Sequence, residues 1–272
     1  MHRTVPLSIF LIYALMAGLG TTSAASDIAK EKRWAEQIKD SLLDGELVWL
    51  NAKGQSEKFL GIYTQETAEV AQGGVIILHG MGAHPNWPDI IFPLRTELPE
   101  YGWTTLSIQM PVLDNDANFI DYAPLFDEVG GRIDAAIKLL KSKGIDNITL
   151  IGHSLGATMG AYYLSSNTDT EIRAYVGIGM GWSRQDKRMS TPVSLAKISI
   201  PVLDLYGEQD LPAILDSVER RANAAQQAGN QHYYQLRTTG ADHFFRDREE
   251  TLVKRVRGWL NRYAAGKELR VK

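Results

Sequence analysis

The chain has 272 residues, with 29 Lys and Arg against 32 Asp and Glu, a formal net charge of −3 and no cysteine. Near-neutral charge without a dense basic stripe argues against a nucleic-acid partner held by counterion release. The missing thiol excludes disulfides, thiolate metal sites, a lipidated N-terminal cysteine and a cysteine nucleophile.

The chain opens with "MHRTVPLSIFLIYALMAGLGTTSAAS". Arg3, an apolar run from Val5 to Leu19 and the small residues that follow read as a signal peptide over residues 1–25, with cleavage near Ala24 or Ala25. The alternative is an uncleaved anchor, because the run falls just short of the roughly 20 residues that span a bilayer comfortably. Membrane contact is expected only through this segment. Removing residues 1–25 takes away one Arg and no acid, so the mature balance is 28 − 32 = −4 over 272 − 25 = 247 residues. That length is enough for one sizeable core and does not demand a second domain. Export without cysteine fits a periplasmic or secreted bacterial protein that relies on its core.

A leader helix is expected at about 26–43, where Ile28, Trp34, Ile38 and Leu42 recur near the helical period among Lys, Glu and Asp. "ELVWLN" and "KFLGIYTQ" then read as a β-hairpin. From Gly74 onward come short runs, several almost continuously apolar: Gly74 to Gly80, Trp103 to Gln109, Asn147 to His153, Arg173 to Gly179 and Pro201 to Gly207. Strands buried on both faces read this way. Leu125, Val129, Ile133, Ile137 and Leu140 step by three or four, as do Leu252, Val256, Trp259 and Tyr263. Strands alternating with helices imply an α/β protein with a mostly parallel sheet covered on both faces. His232 to Thr238 would add an eighth strand. The stretch between Gly179 and Pro201 can form a flap but cannot hold a large cap domain.

Gly152-His153-Ser154-Leu155-Gly156 matches G-x-S-x-G, between the apolar run "ITLI" and the helical "LGATMGAYYL". The pattern places a nucleophile on a strained strand-to-helix turn where a side chain at either glycine would collide with backbone. Ser154 as an ordinary helix N-cap is the competing reading, and it requires nothing of the rest of the chain. A nucleophile requires an acid and then a histidine, each at the end of a later strand. Asp210 in "PVLDLYGEQD" and His243 in "TTGADHFF" meet that order.

"LHGMG", "GHSLG", "LYGEQD" and "GADHFF" resemble the landmark motifs of the α/β-hydrolase superfamily, in that family's order and over most of the chain. With the leader, "HGMGAHPNWP" and "SIQMP" resemble an exported bacterial branch. The resemblance implies an eight-stranded α/β-hydrolase fold and a set of roles. Ser154 would attack an acyl carbonyl, His243 would take and return its proton, and Asp210 would orient the imidazole. Backbone N–H groups of Met81 and Leu155 would form the oxyanion hole, each contributing about 3 to 4 kcal/mol.

Among other candidates, Glu208 and Asp186 rival Asp210 as the acid, whereas Asp204 lies mid-strand and Asp242 adjoins the histidine. His153 is expected to pack or bond locally and His79 to prop the loop after "ILHG". His84 is placed at the site's mouth, and His232 opens a strand. No H-E-x-x-H or carboxylate cluster accompanies these histidines, so neither metal nor cofactor is expected. Trp87, Trp182 and Phe244 are candidates for an acyl pocket. Arg184, Lys187 and Arg188 could meet an anionic substrate or membrane surface, or form a solvated face.

The expected activity is hydrolysis of an ester or thioester, from a small-molecule or envelope-derived acyl substrate, through an acyl-enzyme. An exported peptidase or amidase with the same residues, and a catalytically silent envelope-binding protein on the same fold, are the alternatives. A histidine base works only as neutral imidazole, so activity is expected to fall below about pH 6.5.

Overall fold

The computed structural model describes residues 25–167 and 169–266. The signal segment expected at 1–25 lies, apart from Ala25, outside the described residues. In chain order the elements are α1 (Ile28–Ser41), β1 (Glu46–Asn51), β2 (Lys58–Thr64), β3 (Gly73–Leu78), α2 (Ile91–Glu97), β4 (Trp103–Ile108), α3 (Phe126–Ser142) and β5 (Ile148–His153). They continue with α4 (Leu155–Ser166), β6 (Ile172–Ile178), α5 (Thr191–Leu195), β7 (Val202–Gln209), α6 (Pro212–Leu215), α7 (Val218–Gln227), β8 (Tyr233–Asp242) and α8 (Glu249–Tyr263).

Among the described residues the strands form one eight-stranded sheet in the order β1-β2-β4-β3-β5-β6-β7-β8. β1 and β2 make the expected antiparallel hairpin and β2 runs against β4, while every pairing from β4 through β8 is parallel. The central strands β3, β4 and β5 are buried along nearly their whole length, as their continuous apolar runs require. One face packs on α3, α4 and α5 through residues including Val129, Ile133, Leu140, Met159 and Leu195. The other packs on α2 and α8 through Leu94, Leu252, Val256 and Leu260. Burial of each such side chain stabilises the fold by roughly 1.5–3 kcal/mol.

The chain leaves β3 toward β4 on one side and returns to β5 on the other. Strand order therefore reverses at β3, and the crevice beyond the carboxyl ends of β3 and β5 is where an open α/β sheet presents a site. Leu78 pairs with Gly152 across this junction, which sets Gly80 and Met81 beside Ser154.

Two elements differ from expectation. β8 runs to Asp242 rather than stopping at Thr238. An irregularity between Gly207 and Gln209 re-registers β7 so that Gln209 pairs with Asp242, and the Gly240 N–H donates to Glu208 at 3.0 Å. α1 starts after Asp27, whose carboxylate accepts from the Lys30 N–H at 2.9 Å, and it buries Lys30 and Glu31 as well as Ala35 and Ile38. The stripe is thus partly charged. Glu31 is tolerated inside because Arg132 of α3 grips it with two hydrogen bonds of 2.9 and 3.0 Å.

Candidate active site

Ser154 lies between β5 and α4 with φ 54 and ψ −121, a conformation that costs a non-glycine residue of order 1–3 kcal/mol. Its side chain makes no capping bond to the helix. Its Oγ lies instead 3.0 Å from His243 Nε2, which decides against the N-cap reading. The turn is held by close backbone approach: a Cβ on Gly156 would stand 2.3 Å from the His79 carbonyl oxygen, and one on Gly152 would stand 2.6 Å from Ala157 Cα.

His243 directly follows β8 and Asp210 directly follows β7, so adjacent parallel strands deliver the pair. His243 Nδ1 lies 2.6 Å from Asp210 Oδ1, and both side chains are buried. Asp210 also accepts the N–H of Leu211 at 2.8 Å and that of Gly207 at 3.2 Å. With Asp210 accepting at Nδ1, the neutral imidazole carries its proton there and leaves Nε2 free to accept from Ser154. The rival acids are engaged elsewhere. Glu208 bonds Gly240 and faces Arg237, and Asp186 caps a short 3-10 turn while pairing with Arg188.

Two further histidines brace the site. His79 Nε2 accepts the Met110 N–H at 2.8 Å, so its proton sits on Nδ1 and donates to the Gly80 carbonyl at 2.9 Å. That carbonyl belongs to the same planar peptide as the Met81 N–H, so His79 sets the direction of that donor. His153 Nε2 donates to the carbonyl of His243 at 3.0 Å. Burial pushes the pKa of both rings down to about 3, so both stay neutral. A neutral His153 matters because its ring centroid is 4.8 Å from that of His243, where a second charge would oppose formation of an imidazolium.

Leu155 N–H heads α4, where the first amides have no intrahelical partner. Among the described residues neither it nor the Met81 N–H has a hydrogen-bond acceptor outside the helix ladder. Met81 lines a cavity of about 210 Å³ that opens on Ser154 and is walled by Ala83, Trp87, Leu211 and Phe244, and Leu155 directly follows Ser154 in the chain. Larger, more open clefts lie elsewhere, as between Lys141 and Glu171, but none of them sets a nucleophile beside a base.

Trp87 and Phe244 therefore line the cavity, whereas Trp182 and His84 do not. Trp182 is tied by a β-bridge to Ser190 and flanked by the guanidiniums of Arg184 and Arg220. The His84 ring is wedged edge-on between Trp34 of α1 and Trp87. Nor do Arg184, Lys187 and Arg188 form a free basic cluster, since Arg188 pairs with Asp186 and Asp127. Two contributors were not singled out from sequence. Leu211 borders the cavity and bonds Asp210, and Gly179, at φ +55, leaves room for the His243 ring. The position of Gly179 at the end of an expected strand was the only available signal.

Sheet order and strand-end geometry are those of the α/β-hydrolase fold. Similar solved structures include a dienelactone hydrolase from Anabaena variabilis (TM-score 0.64, 20% identity, covering 81% of this chain and 98% of that one). Est1E from Butyrivibrio proteoclasticus gives a TM-score of 0.60 at 17% identity, covering 81% and 99%. XC6422 from Xanthomonas campestris, described as an a/b serine hydrolase without lid, gives 0.61 at 16% identity, covering 83% and 98%. No curated protein sequence matches the chain. Residues 20–126 and 121–262 match the family described as "Protein of unknown function (DUF3530)", and the chain belongs to that family.

Proposed function

We propose that the protein is a serine hydrolase of carboxylic esters or thioesters. The observation that carries the reading is the 3.0 Å approach of Ser154 Oγ to His243 Nε2 on a turn whose strain serves no capping bond. Ser154 Oγ attacks the acyl carbon as its proton passes to His243 Nε2, and the carbonyl π pair moves onto oxygen. The Leu155 and Met81 N–H groups receive that oxyanion. Collapse expels the alcohol or thiol, which takes the proton from His243 and leaves acyl-Ser154. Water then attacks with His243 again as base, releasing the acid and restoring the serine. Asp210 holds the ring and stabilises its cation.

The apolar cavity of about 210 Å³ favours a short acyl group, because drug-sized ligands need about 300 Å³ or more. With no large cap over the crevice among the described residues, the alcohol portion can be bulky. Export to the periplasm or medium as a single domain after loss of residues 1–25 completes the proposal, on the strength of the leader.

The test is a series of nitrophenyl esters from acetyl to palmitoyl. The reading predicts highest kcat/KM at two to four acyl carbons and a loss of about 10³-fold or more in Ser154→Ala and His243→Ala. Unchanged turnover in both variants would remove it.

A further inference from the structure

A buried polar cluster joins the start of the described chain to α3. Arg132 holds Glu31 through both guanidinium Nη atoms, lies 3.4 Å from Glu128 and donates to the Gln109 carbonyl at 2.9 Å. The Arg132 side chain is wholly buried, and those of Glu31 and Glu128 are 8% and 20% exposed. Two carboxylates therefore face one guanidinium. Of the two lysines flanking Glu31, Lys30 is occupied with the Leu113 carbonyl and Asn115, and Lys32 pairs with Glu57 at 2.9 Å. Gln55, which donates to Glu128 at 2.6 Å, is neutral. The cluster is one positive charge short.

Ser26 occupies the position where that charge can arise. Its backbone nitrogen donates to Glu128 Oε1 at 2.9 Å, its hydroxyl bonds Glu31, and the same hydroxyl accepts the Val112 N–H at 2.8 Å. Ala25 is exposed while Ser26 is 6% exposed, so the step from solvent to interior falls at the bond between them. That bond is also one of the two at which the small residues of the leader allow cleavage.

We propose that the leader is removed at the Ala25–Ser26 bond and that the α-ammonium freed on Ser26 is bound by Glu128, completing the charge balance of the buried cluster. A leader-removing peptidase adds water across the bond. The C–N bond breaks, hydroxyl goes to the Ala25 carbonyl carbon, and the amine leaves with the water proton and is protonated from solvent. One neutral N–H toward Glu128 is thereby replaced by a cation with three donors. Processing after Ala24 would leave the ammonium on exposed Ala25, one residue from the carboxylate. The cluster also reaches the site, since Gln109 contacts His79 Nε2 at 2.9 Å and His79 fixes the Gly80 peptide. The proposal rests on the leader reading, not on the hydrolase reading.

The test has two parts. The full 272-residue chain is exported from a bacterial host and its intact mass measured, with a mature chain beginning at Ser26 expected. Chains beginning at Ser26 and at Ala25 are then released from a fusion partner and melted side by side. The Ser26 chain should melt higher by about 2 to 6 °C, consistent with one partly buried pair in a domain of this size. The difference should shrink to about 1 °C or less when both carry Glu128→Gln. A mature mass beginning at Ala25 or retaining the leader overturns the cleavage site, and equal melting of the two chains overturns the pairing. Should Glu128→Gln fail to fold, the wild-type pair still decides. Both readouts are independent of turnover, so their failure leaves the proposed role of Ser154 untouched.

Discussion

Neutral His153 and the backbone of His243 are linked by one hydrogen bond of 3.0 Å, which fixes the start of the loop after β8. Phenylalanine at 153 keeps the ring packing but removes the donor, leaving a buried carbonyl short of a partner at a cost of about 1–3 kcal/mol. His153→Phe should lower kcat about 5- to 100-fold with KM little changed, and the pH at which activity declines should stay where it is, because His153 does not titrate in that range. A profile shifted with the mutation would instead make His153 a participant in proton transfer. Gly179→Ala tests the neighbouring constraint. The new Cβ would lie 3.0 Å from two His243 ring atoms and the residue would be held at φ +55. Displacement of the imidazole should reduce fluorophosphonate labelling of Ser154 by tenfold or more while the fold survives, as compared by circular dichroism.

At the scale of elements, helix α1 is fastened by chemistry its sequence conceals. The periodic Trp34, Ile38 and Leu42 mark an amphipathic helix, but Lys30 and Glu31 read as wet residues. Only the three-dimensional arrival of Arg132, 101 residues away, makes burial of Glu31 possible. Removing Arg132 strands Glu31, whose carboxyl is already pushed upward mainly by burial. Arg132→Ala should destabilise the protein by about 3–5 kcal/mol in urea unfolding. Combining Glu31→Met with Arg132→Met should recover much of this, and equal losses in both variants would mean that packing rather than charge is at stake. The strands were more legible than the helix because doubly buried runs such as "VIIL" leave few alternatives. The elbow was legible because Gly152 and Gly156 are demanded by backbone proximity. The end of β8 was not, since it depends on Glu208 reaching Gly240 from another strand. Trp182 and His84 were misplaced for a similar reason: an aromatic in a loop gives no local sign of whether it faces a cavity or a neighbour.

For the whole molecule, three partly or fully buried histidines couple stability to acidity. Burial lowers the pKa of His79 and His153 to about 3 and that of His84 to about 4, against about 6.5 in an unfolded chain. Between those limits the unfolded state binds more protons, so stability falls as pH drops below about 6.5, by up to about 1.4 kcal/mol per pH unit for each group. His84 rests between two indoles with one weak backbone donor, the Asn86 N–H at 3.2 Å, and is therefore the replaceable one. His84→Phe should flatten the decline of melting temperature between pH 7 and 5 by about one third, whereas parallel curves would mean that His84 charges without unfolding. The sheet order that creates the crevice at β3 and β5 is also a whole-molecule property. Strand and helix alternation implied a mostly parallel sheet but not its order, which sets the loop after β3 against the elbow.

The most direct measurement is mass spectrometry of the purified protein after reaction with a fluorophosphonate at pH 7.5, followed by peptide mapping, beside Ser154→Ala and His243→Ala. A Ser154 nucleophile activated by His243 should give stoichiometric modification of Ser154, absent in the first variant and slowed about a thousandfold in the second. Absence of labelling on a folded wild-type protein, or equal labelling when His243 is replaced, would contradict this assignment.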